Sequence, residues 1–217
     1  KILRLSGVVI SVVVVQACRL NYPVPKTDEV VVRRSPELVS EGKRLSMLMF
    51  AGCHYDEETK RLSGRRMDDI PRIVGKVYSA NLTNDPSSKV YHYTDHELKN
   101  LLRTGISRDG RFMPYMLRPN LADKDIDAII SFLRSDDKLV SPMTVNFPDT
   151  RYSMVGKFAI SRAKPVALSP ERIERPTADT LELGRYLVDN LGCYHCHSRS
   201  FLTLDYRDPE QSKGYLS

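Results

Sequence analysis

The chain contains the pentapeptide Cys193-Tyr194-His195-Cys196-His197, a C-x-x-C-H motif that follows a segment with helical spacing of its apolar residues. Two thiols three residues apart on one turn can each form a thioether with one of the two vinyl groups of a haem. The histidine after the second cysteine then places an imidazole on the iron. The motif therefore predicts covalent attachment of a haem c through Cys193 and Cys196, with His197 as an axial ligand.

Two other uses of this motif fit the sequence less well. A thioredoxin-like dithiol requires a βαβ context, which the surrounding residues do not predict. A zinc site needs four ligands, and neighbouring residues of one pentapeptide cannot all converge on a tetrahedron. We interpret His195, inside the motif, as an exposed residue that does not bind the iron.

An altered copy of the motif lies near the start of the chain. Residues 42–54 resemble residues 184–197 when one gap is allowed, with the Cys-His dipeptide aligned and Phe50 in place of the first cysteine. This copy reads F-x-x-C-H. It predicts a second haem, held through a single thioether at Cys53, with His54 as its axial ligand.

Two alternatives stay open for the altered copy. A different register aligns Cys53 with Cys193 and puts Asp56 and Glu57 at the second thiol and the ligand, so that no haem could be held. In the other alternative, Cys53 is a buried free thiol beside an ordinary surface histidine. We favour the first register because haem attachment requires the Cys-His dipeptide.

Four helices are predicted to position these groups. Ser35 precedes a proline at the first helical position, and Thr94 with Glu97 forms a capping box before a helix that Gly105 should stop. Acidic residues crowd the start of a third helix, where the helix dipole favours them. We predict helices over about 36–50, 95–104, 123–135 and 178–190, with a long loop over 55–92.

Several further segments resemble class I c-type cytochromes, specifically the tandem di-haem cytochromes of bacterial envelopes. The segments that carry this resemblance are 75–83, 93–106, 109–116 and 121–135. It implies a mainly α fold with cytochrome c-like modules of three to four helices around each haem, plus an N-terminal anchor and an irregular connector. The implied divisions are a signal or anchor (1–18), a tether (19–35), a first module (36–139), a proline-rich connector (140–176) and the start of a second module (177–217).

The resemblance also implies an axial methionine for the first haem. The family pattern favours Met116, in Pro114-Tyr115-Met116. A thioether ligand would raise the reduction potential, because sulfur favours Fe(II). Met113 and Met67 are the other methionine candidates, and ligation by a second histidine, His92 or His96, is a further alternative.

No methionine follows His197, so the sixth ligand of the second haem does not come from the expected place. We expect the second module to continue beyond Ser217. Otherwise this position on the iron is open or is filled by a partner protein.

The N-terminus has the layout of an export signal. Lys1 and Arg4 precede a valine-rich run, and Val15-Gln16-Ala17-Cys18 resembles a bacterial lipobox, which predicts lipid attachment at Cys18. A retained signal anchor and a buried strand are the alternatives. This segment predicts a protein of the periplasm or cell envelope that is held at the membrane.

Charge and cysteine content exclude two other classes of protein. The net charge is +6, but residues 1–36 carry six basic and two acidic residues, so much of the excess lies outside the folded modules. A nucleic-acid partner is therefore not expected. Four cysteines in 217 residues are also too few for a disulfide scaffold.

The sequence as a whole predicts a membrane-tethered di-haem c-type cytochrome that transfers single electrons in the cell envelope. Its partners would be redox proteins, including those of a multi-subunit respiratory complex. We expect an electron carrier rather than an enzyme. The alternatives are a haem enzyme or enzyme subunit, such as a peroxidase or dehydrogenase partner, and a structural subunit of a larger respiratory or extracellular cytochrome assembly.

Overall fold

The computed structural model describes residues 20–26, 29–145, 147–176, 180–199 and 203–217, and it is mainly helical. The helices are α1 (Pro36–Met49), α2 (Ala51–His54), α3 (Asp95–Thr104), α4 (Asp123–Leu133), α5 (Met154–Ser161) and α6 (Thr180–Leu191). Two short strands, β1 (Gly75–Lys76) and β2 (Arg151–Tyr152), pair antiparallel. Single 3-10 turns lie at Val90–His92, Pro114–Met116, Cys193–His195 and Pro209–Gln211. This architecture is consistent with a cytochrome c-like, mainly α fold.

Helices α1 and α3, in the predicted first module, begin at the caps that the sequence indicates, and α3 also ends where predicted. The Ser35 hydroxyl accepts a hydrogen bond from the backbone N–H of Leu38 at 3.2 Å, which caps α1. Thr94 and Glu97 form both bonds of the predicted capping box at the start of α3. Gly105 ends α3 with a φ of 73°, a left-handed conformation that favours glycine.

Helices α1 and α4 pack directly against each other. A Cβ at Gly42 would lie only 1.9 Å from the backbone oxygen of Ala128, so this contact requires a glycine. Around the contact, Leu45, Ile126 and Phe132 are almost completely buried. The two helices therefore share one apolar core that reaches the end of α1, where the altered motif begins.

The long loop after the altered motif is tied to the core by its backbone. Leu62 N–H donates to the Leu139 oxygen at 2.8 Å, and Leu82 N–H donates to the Leu62 oxygen at 2.8 Å. Gly64 N–H donates to the His54 oxygen at 2.9 Å. These bonds fold the loop back over the altered motif and bring Ala80 beside His54.

The predicted tether lies along the first module. Tyr22 N–H donates to the Gly110 oxygen at 2.8 Å, Phe112 N–H donates to the Leu20 oxygen at 2.7 Å, and Val32 is buried. The valine-rich run and Cys18 lie outside the described residues. Among the helices that the structure describes, none is long and apolar enough to span a membrane.

The connector is more regular than its prolines predict. It contains β2 and the helix α5, which begins where the Ser153 hydroxyl accepts from Gly156 N–H at 3.1 Å. A Cβ at Gly156 would lie 2.1 Å from the Val74 oxygen, so α5 is pressed against the segment that leads into β1. This packing gives the connector a fixed place on the first module.

Helix α6 leads directly into the intact C-x-x-C-H motif. Its residues Leu183 and Leu187 pack against the core of the first module, and Tyr186 belongs to that core. The helix ends at Gly192, whose φ of 76° allows the chain to turn into the motif.

Candidate haem-binding sites

The altered and intact motifs have the same backbone hydrogen-bond pattern. In the altered motif, the Phe50 carbonyl accepts from the N–H groups of Cys53 at 3.0 Å and His54 at 2.8 Å. In the intact motif, the Cys193 carbonyl accepts from the N–H groups three and four residues later, at 3.3 and 3.0 Å. Phe50 therefore occupies the position in its turn that Cys193 occupies in the other.

The side chain of His54 has the features of a metal ligand. It is buried, and its Nδ1 lies 2.8 Å from the backbone oxygen of Ala80. A carbonyl can only accept, so Nδ1 carries the proton of the neutral ring and Nε2 holds the lone pair. Burial lowers the pKa of His54, which keeps the ring neutral. Among the described residues, Nε2 has no hydrogen-bond partner. This is the usual arrangement of an iron-binding imidazole.

Phe50 belongs to the apolar core and cannot form a thioether. It is 4% exposed, and its ring stands edge-on to that of His54, with centroids 6.3 Å apart. The phenyl ring therefore fills space beside the imidazole and leaves Cys53 as the one thiol of this motif.

Cys53 reaches the surface of the protein. The thiol is exposed on one side and crowded by protein on the other, and this partial desolvation, followed by the charge of Asp69, raises its pKa. The Cys196 thiol raises it further, whereas Arg118 opposes the shift.

Met116 is the methionine candidate that packs against the core cluster containing Phe50. It is half-buried at the end of a 3-10 turn, where its N–H donates to the Met113 oxygen at 3.0 Å. Met113 and Met67 are also half-buried but lie outside that cluster. The structure thus brings Met116 to the same apolar region as the altered motif.

The two other histidine candidates have contacts of their own. His92 is exposed, and its Nε2 lies 2.8 Å from the Pro86 oxygen. His96 Nε2 lies 3.1 Å from Asn100 Nδ2 within the same helix. The Nε2 atoms of His92 and His96 therefore both make contacts outside the altered motif.

The intact motif presents its attachment groups outwards. Cys196 and His197 are exposed and Cys193 is half-buried. Tyr194, between the cysteines, is 1% exposed, and its burial raises its pKa to about 12. The buried tyrosine anchors the turn and leaves the two thiols and the histidine accessible.

The interpretation of His195 as an exposed residue is wrong. It is half-buried among aromatic rings, with centroids 4.5 Å from Tyr194, 5.6 Å from Tyr206 and 6.4 Å from Tyr115. Burial, and then the Arg118 charge, lower the pKa of His195 to about 3. Tyr115 and Tyr206 lie outside the motif, so the motif alone gave no sign of these two neighbours. The ring lies at the contact between the Met116 turn and the second motif.

Arg118 is a site residue that the sequence did not indicate. It is 4% exposed, and its Nη1 donates to the backbone oxygens of Leu117 at 2.7 Å and Tyr115 at 3.1 Å. Its Nε is buried and, like His195 Nε2, has no hydrogen-bond partner among the residues that the structure describes. A Cβ at Gly192 would lie 3.3 Å from Arg118 Nη2, so the guanidinium lies against the turn of the second motif.

The donor set fits c-type haem. Each motif offers at least one thiol for a thioether and one imidazole, and the core beside the first offers a thioether sulfur. The unpartnered Arg118 Nε would suit a carboxylate of the same group. Among the described residues, no three His, Cys, Asp or Glu side chains gather into a site for a free metal ion. A haem iron needs only two axial ligands besides the four nitrogens of its own ring.

A mainly α fold that carries two Cys-His turns of matching backbone geometry is consistent with a c-type cytochrome. The chain is similar to the fructose dehydrogenase cytochrome subunit of Gluconobacter japonicus, with 31% identity over 77% of the chain. It is also similar to the cytochrome c subunit of the quinone alcohol dehydrogenase of Gluconobacter oxydans (strain 621H), with 31% identity over 60% of the chain. A third relative is the gluconate 2-dehydrogenase cytochrome c subunit of Pantoea cypripedii, with 26% identity over 82% of the chain.

These relatives are longer proteins. The chain spans 35% of the fructose dehydrogenase subunit, 29% of the alcohol dehydrogenase subunit and 40% of the gluconate dehydrogenase subunit. No protein-family model matches the chain. The homologues named as cytochrome subunits of bacterial dehydrogenases support a c-type cytochrome that serves as a haem electron-transfer subunit.

Proposed function

We propose that the chain is the di-haem electron-transfer part of a membrane-associated dehydrogenase complex. The observation that carries this proposal is the shared backbone geometry of the two Cys-His turns, with His54 and His197 at equivalent positions. The similarity of the chain to dehydrogenase cytochrome subunits supports the setting. A bound haem supplies a one-electron couple between Fe(III) and Fe(II).

The first site would hold its haem through a single thioether at Cys53. His54 would bind the iron through Nε2, because the Ala80 carbonyl holds the proton on Nδ1. Met116 would supply the second ligand, since the 3-10 turn that carries it packs against the same apolar core as Phe50. The buried Phe50 would exclude water from the edge where a second thioether normally forms.

The second site would use Cys193, Cys196 and His197 on a turn that α6 delivers to the surface. The Tyr115 ring, next to Met116 in sequence, lies 6.4 Å from the His195 ring inside this motif. This contact supports direct electron exchange between the two sites, because it joins the ligand segment of one to the attachment segment of the other.

Export and anchoring complete the proposal. Residues 1–18 would direct the chain to the periplasm or cell envelope and hold it at the membrane, through a lipid on Cys18 or a retained anchor. Residues 36–139 would form the first haem module and residues 177–217 the start of the second, joined by the connector 140–176. The partners would be a dehydrogenase subunit that donates electrons and a redox acceptor at the membrane.

The proposal is tested by counting covalent haems on the full chain, produced in a bacterium that matures c-type cytochromes. Intact mass should show two haems, and a haem stain after denaturing electrophoresis should be positive. Cys53→Ala should remove one haem, and Cys193→Ala with Cys196→Ala should remove the other. If the unaltered chain carries one haem and Cys53→Ala leaves that count unchanged, the first site holds no covalent haem and the di-haem proposal is wrong. No covalent haem on the unaltered chain would overturn the proposal entirely.

The pyridine spectrum distinguishes the two attachments. A haem with one thioether keeps one conjugated vinyl group, so its α band lies at longer wavelength than that of a haem with two. The variant that lacks Cys193 and Cys196 should therefore show a red-shifted band compared with Cys53→Ala. Identical bands in the two variants would contradict the single thioether at Cys53.

A further inference from the structure

One end of the first module exposes an unusual number of large apolar side chains. Ile73 is 66% exposed, Met154 67%, Val155 50% and Phe158 57%. We call these four residues, together with the basic residues of segments 70–76 and 150–164, the α5 face. None of them contributes to either candidate haem site.

The four apolar residues belong to one surface because α5 is fixed on the segment before β1. Ser153 N–H donates to the Val74 oxygen at 3.0 Å, directly after Ile73. Helix α5 buries Gly156 and Ile160 against the module. Met154 and Phe158 are four residues apart and therefore share the opposite side of the helix. The apolar residues thus project away from the core as a group.

The two segments that form this surface carry only positive charge, and the acidic residues that flank them, Asp68, Asp69 and Asp149, lie in ion pairs. Residues 70–76 and 150–164 contain no aspartate or glutamate. The basic residues of these two segments are all exposed, and within the part of the chain that the structure describes none of them forms a salt bridge. They are Arg72, Lys76, Arg151, Lys157, Arg162 and Lys164. The acidic residue that precedes the second segment, Asp149, is paired with Lys89.

We propose that the α5 face binds the surface of an anionic phospholipid bilayer. Exposed apolar side chains on a short helix can enter the boundary between headgroups and acyl chains, while surrounding lysines and arginines bind lipid phosphates. Each basic residue near an anionic surface adds to the attraction. Six unpaired cations without an acidic residue fit this occupant in both charge and polarity.

This contact is separate from the proposed anchor at residues 1–18 and does not depend on the number of haems. It would hold the first module against the membrane and fix the orientation of the two haem sites above it. An anchor at the N-terminus alone leaves that orientation free.

The chain has no tryptophan, so a single introduced tryptophan reports on its own surroundings. The test uses the full, haem-loaded chain with Phe158→Trp and, as matched control, Leu48→Trp, since Leu48 on α1 is 54% exposed. On vesicles of phosphatidylcholine with about one-third phosphatidylglycerol, the emission of Phe158→Trp should shift to shorter wavelength. The emission of Leu48→Trp should not shift.

A second measurement tests the cations. Lys157→Glu with Arg162→Glu, placed in the Phe158→Trp chain, should weaken the lipid-induced shift so that about tenfold more anionic lipid is needed. Unchanged haem absorbance would show that the variant is folded. If Phe158→Trp gives no shift while the chain is bound to the vesicles, the proposal is overturned and the face would suit an acidic protein surface. An equal response of both tryptophans would overturn it as well.

Discussion

The hydroxyl of Tyr186 donates a hydrogen bond to Asp125 Oδ2 at 2.6 Å. It also accepts one from the backbone N–H of Ala122 at 2.9 Å. Asp125 is 2% exposed and has Arg175 Nη1 at 3.4 Å from its other oxygen. Because Tyr186 lies on α6 and Asp125 on α4, this bond fixes the helix before the intact motif onto the first module. The place of the second haem site therefore depends on the core of the first.

Tyr186→Phe should reduce the free energy of unfolding by about 1–3 kcal/mol, because it removes a donor to a buried carboxylate and an acceptor for a buried N–H. Denaturant titration of the haem-loaded chain measures this change. Tyr215→Phe is the matched control, because Tyr215 also donates to an aspartate, Asp189, but is only half-buried. Equal losses in the two variants would contradict a special role for the α6–α4 bond.

Glu41 gives a prediction for the effect of pH. Arg44 Nη2 lies 2.6 Å from Glu41 Oε1, and Arg175 Nη1 lies 2.7 Å from the same oxygen. The hydrogen bond from Arg44, and then that from Arg175, lower the pKa of Glu41 from 4.5 to about 2. A carboxylate whose folded pKa is lowered stabilises the fold above its unfolded pKa, and this contribution is lost as the pH falls through the folded pKa.

Glu41→Gln should therefore reduce stability at neutral pH, and its difference from the unaltered chain should disappear between about pH 4.5 and pH 2. Solvent screening of this partly exposed group limits the effect to about 1 kcal/mol or less. Denaturant titration at several pH values measures it. Glu57→Gln, which removes an exposed pair with Lys60, should change stability little. A difference for Glu41→Gln that persists unchanged at pH 2 would contradict the assignment.

Local signals were enough to predict most of the helices. Ser35 and Thr94 cap α1 and α3 through bonds to residues three positions later, so their effect can be read from neighbouring sequence. Helix α5 was not predicted, since five prolines in the connector suggested irregular chain. Its position depends on the close approach of Gly156 to Val74, a contact between segments about 80 residues apart.

The candidate sites show the same difference between local signals, which the sequence reveals, and contacts between distant segments, which it does not. The cysteines and histidines of the motifs were indicated by their spacing, because a haem motif lies within one turn of the chain, whereas Met116 was indicated by the family resemblance. The surroundings of that turn were not, because Arg118, Tyr115 and Tyr206 reach His195 from other parts of the chain. A contact of this kind leaves no periodic signal in the sequence.

Met116→Ala should lower the reduction potential of the first haem, because a thioether sulfur stabilises Fe(II). A change on the order of 0.1 V is expected within the range that axial ligands span. Spectroelectrochemistry on the variant that lacks Cys193 and Cys196 observes this haem alone. Met113→Ala is the control, since Met113 lies three residues away and outside the core cluster that Met116 contacts. A shift in Met113→Ala but not in Met116→Ala would reassign the ligand.

The register of the altered motif can be tested by restoring its missing thiol. Since the Phe50 carbonyl makes the same two hydrogen bonds as that of Cys193, a cysteine at position 50 should reach the haem edge. In Cys53→Ala the first haem should be lost, and adding Phe50→Cys to that variant should restore a covalent haem through a thioether at position 50. Intact mass counts the haems in each variant.

Removal of the buried Phe50 ring destabilises the fold, so this effect needs its own control. Phe50 is 4% exposed, so its truncation should reduce the free energy of unfolding by about 3–5 kcal/mol. Phe50→Ala with Cys53→Ala carries the same loss of packing without the new thiol, and it should hold no covalent haem at the first site. If the cysteine variant holds no more haem than this control while the second haem is retained, the alignment of Phe50 with Cys193 is wrong. The alternative register, in which Cys53 takes the place of the first cysteine, would then account for an empty first site.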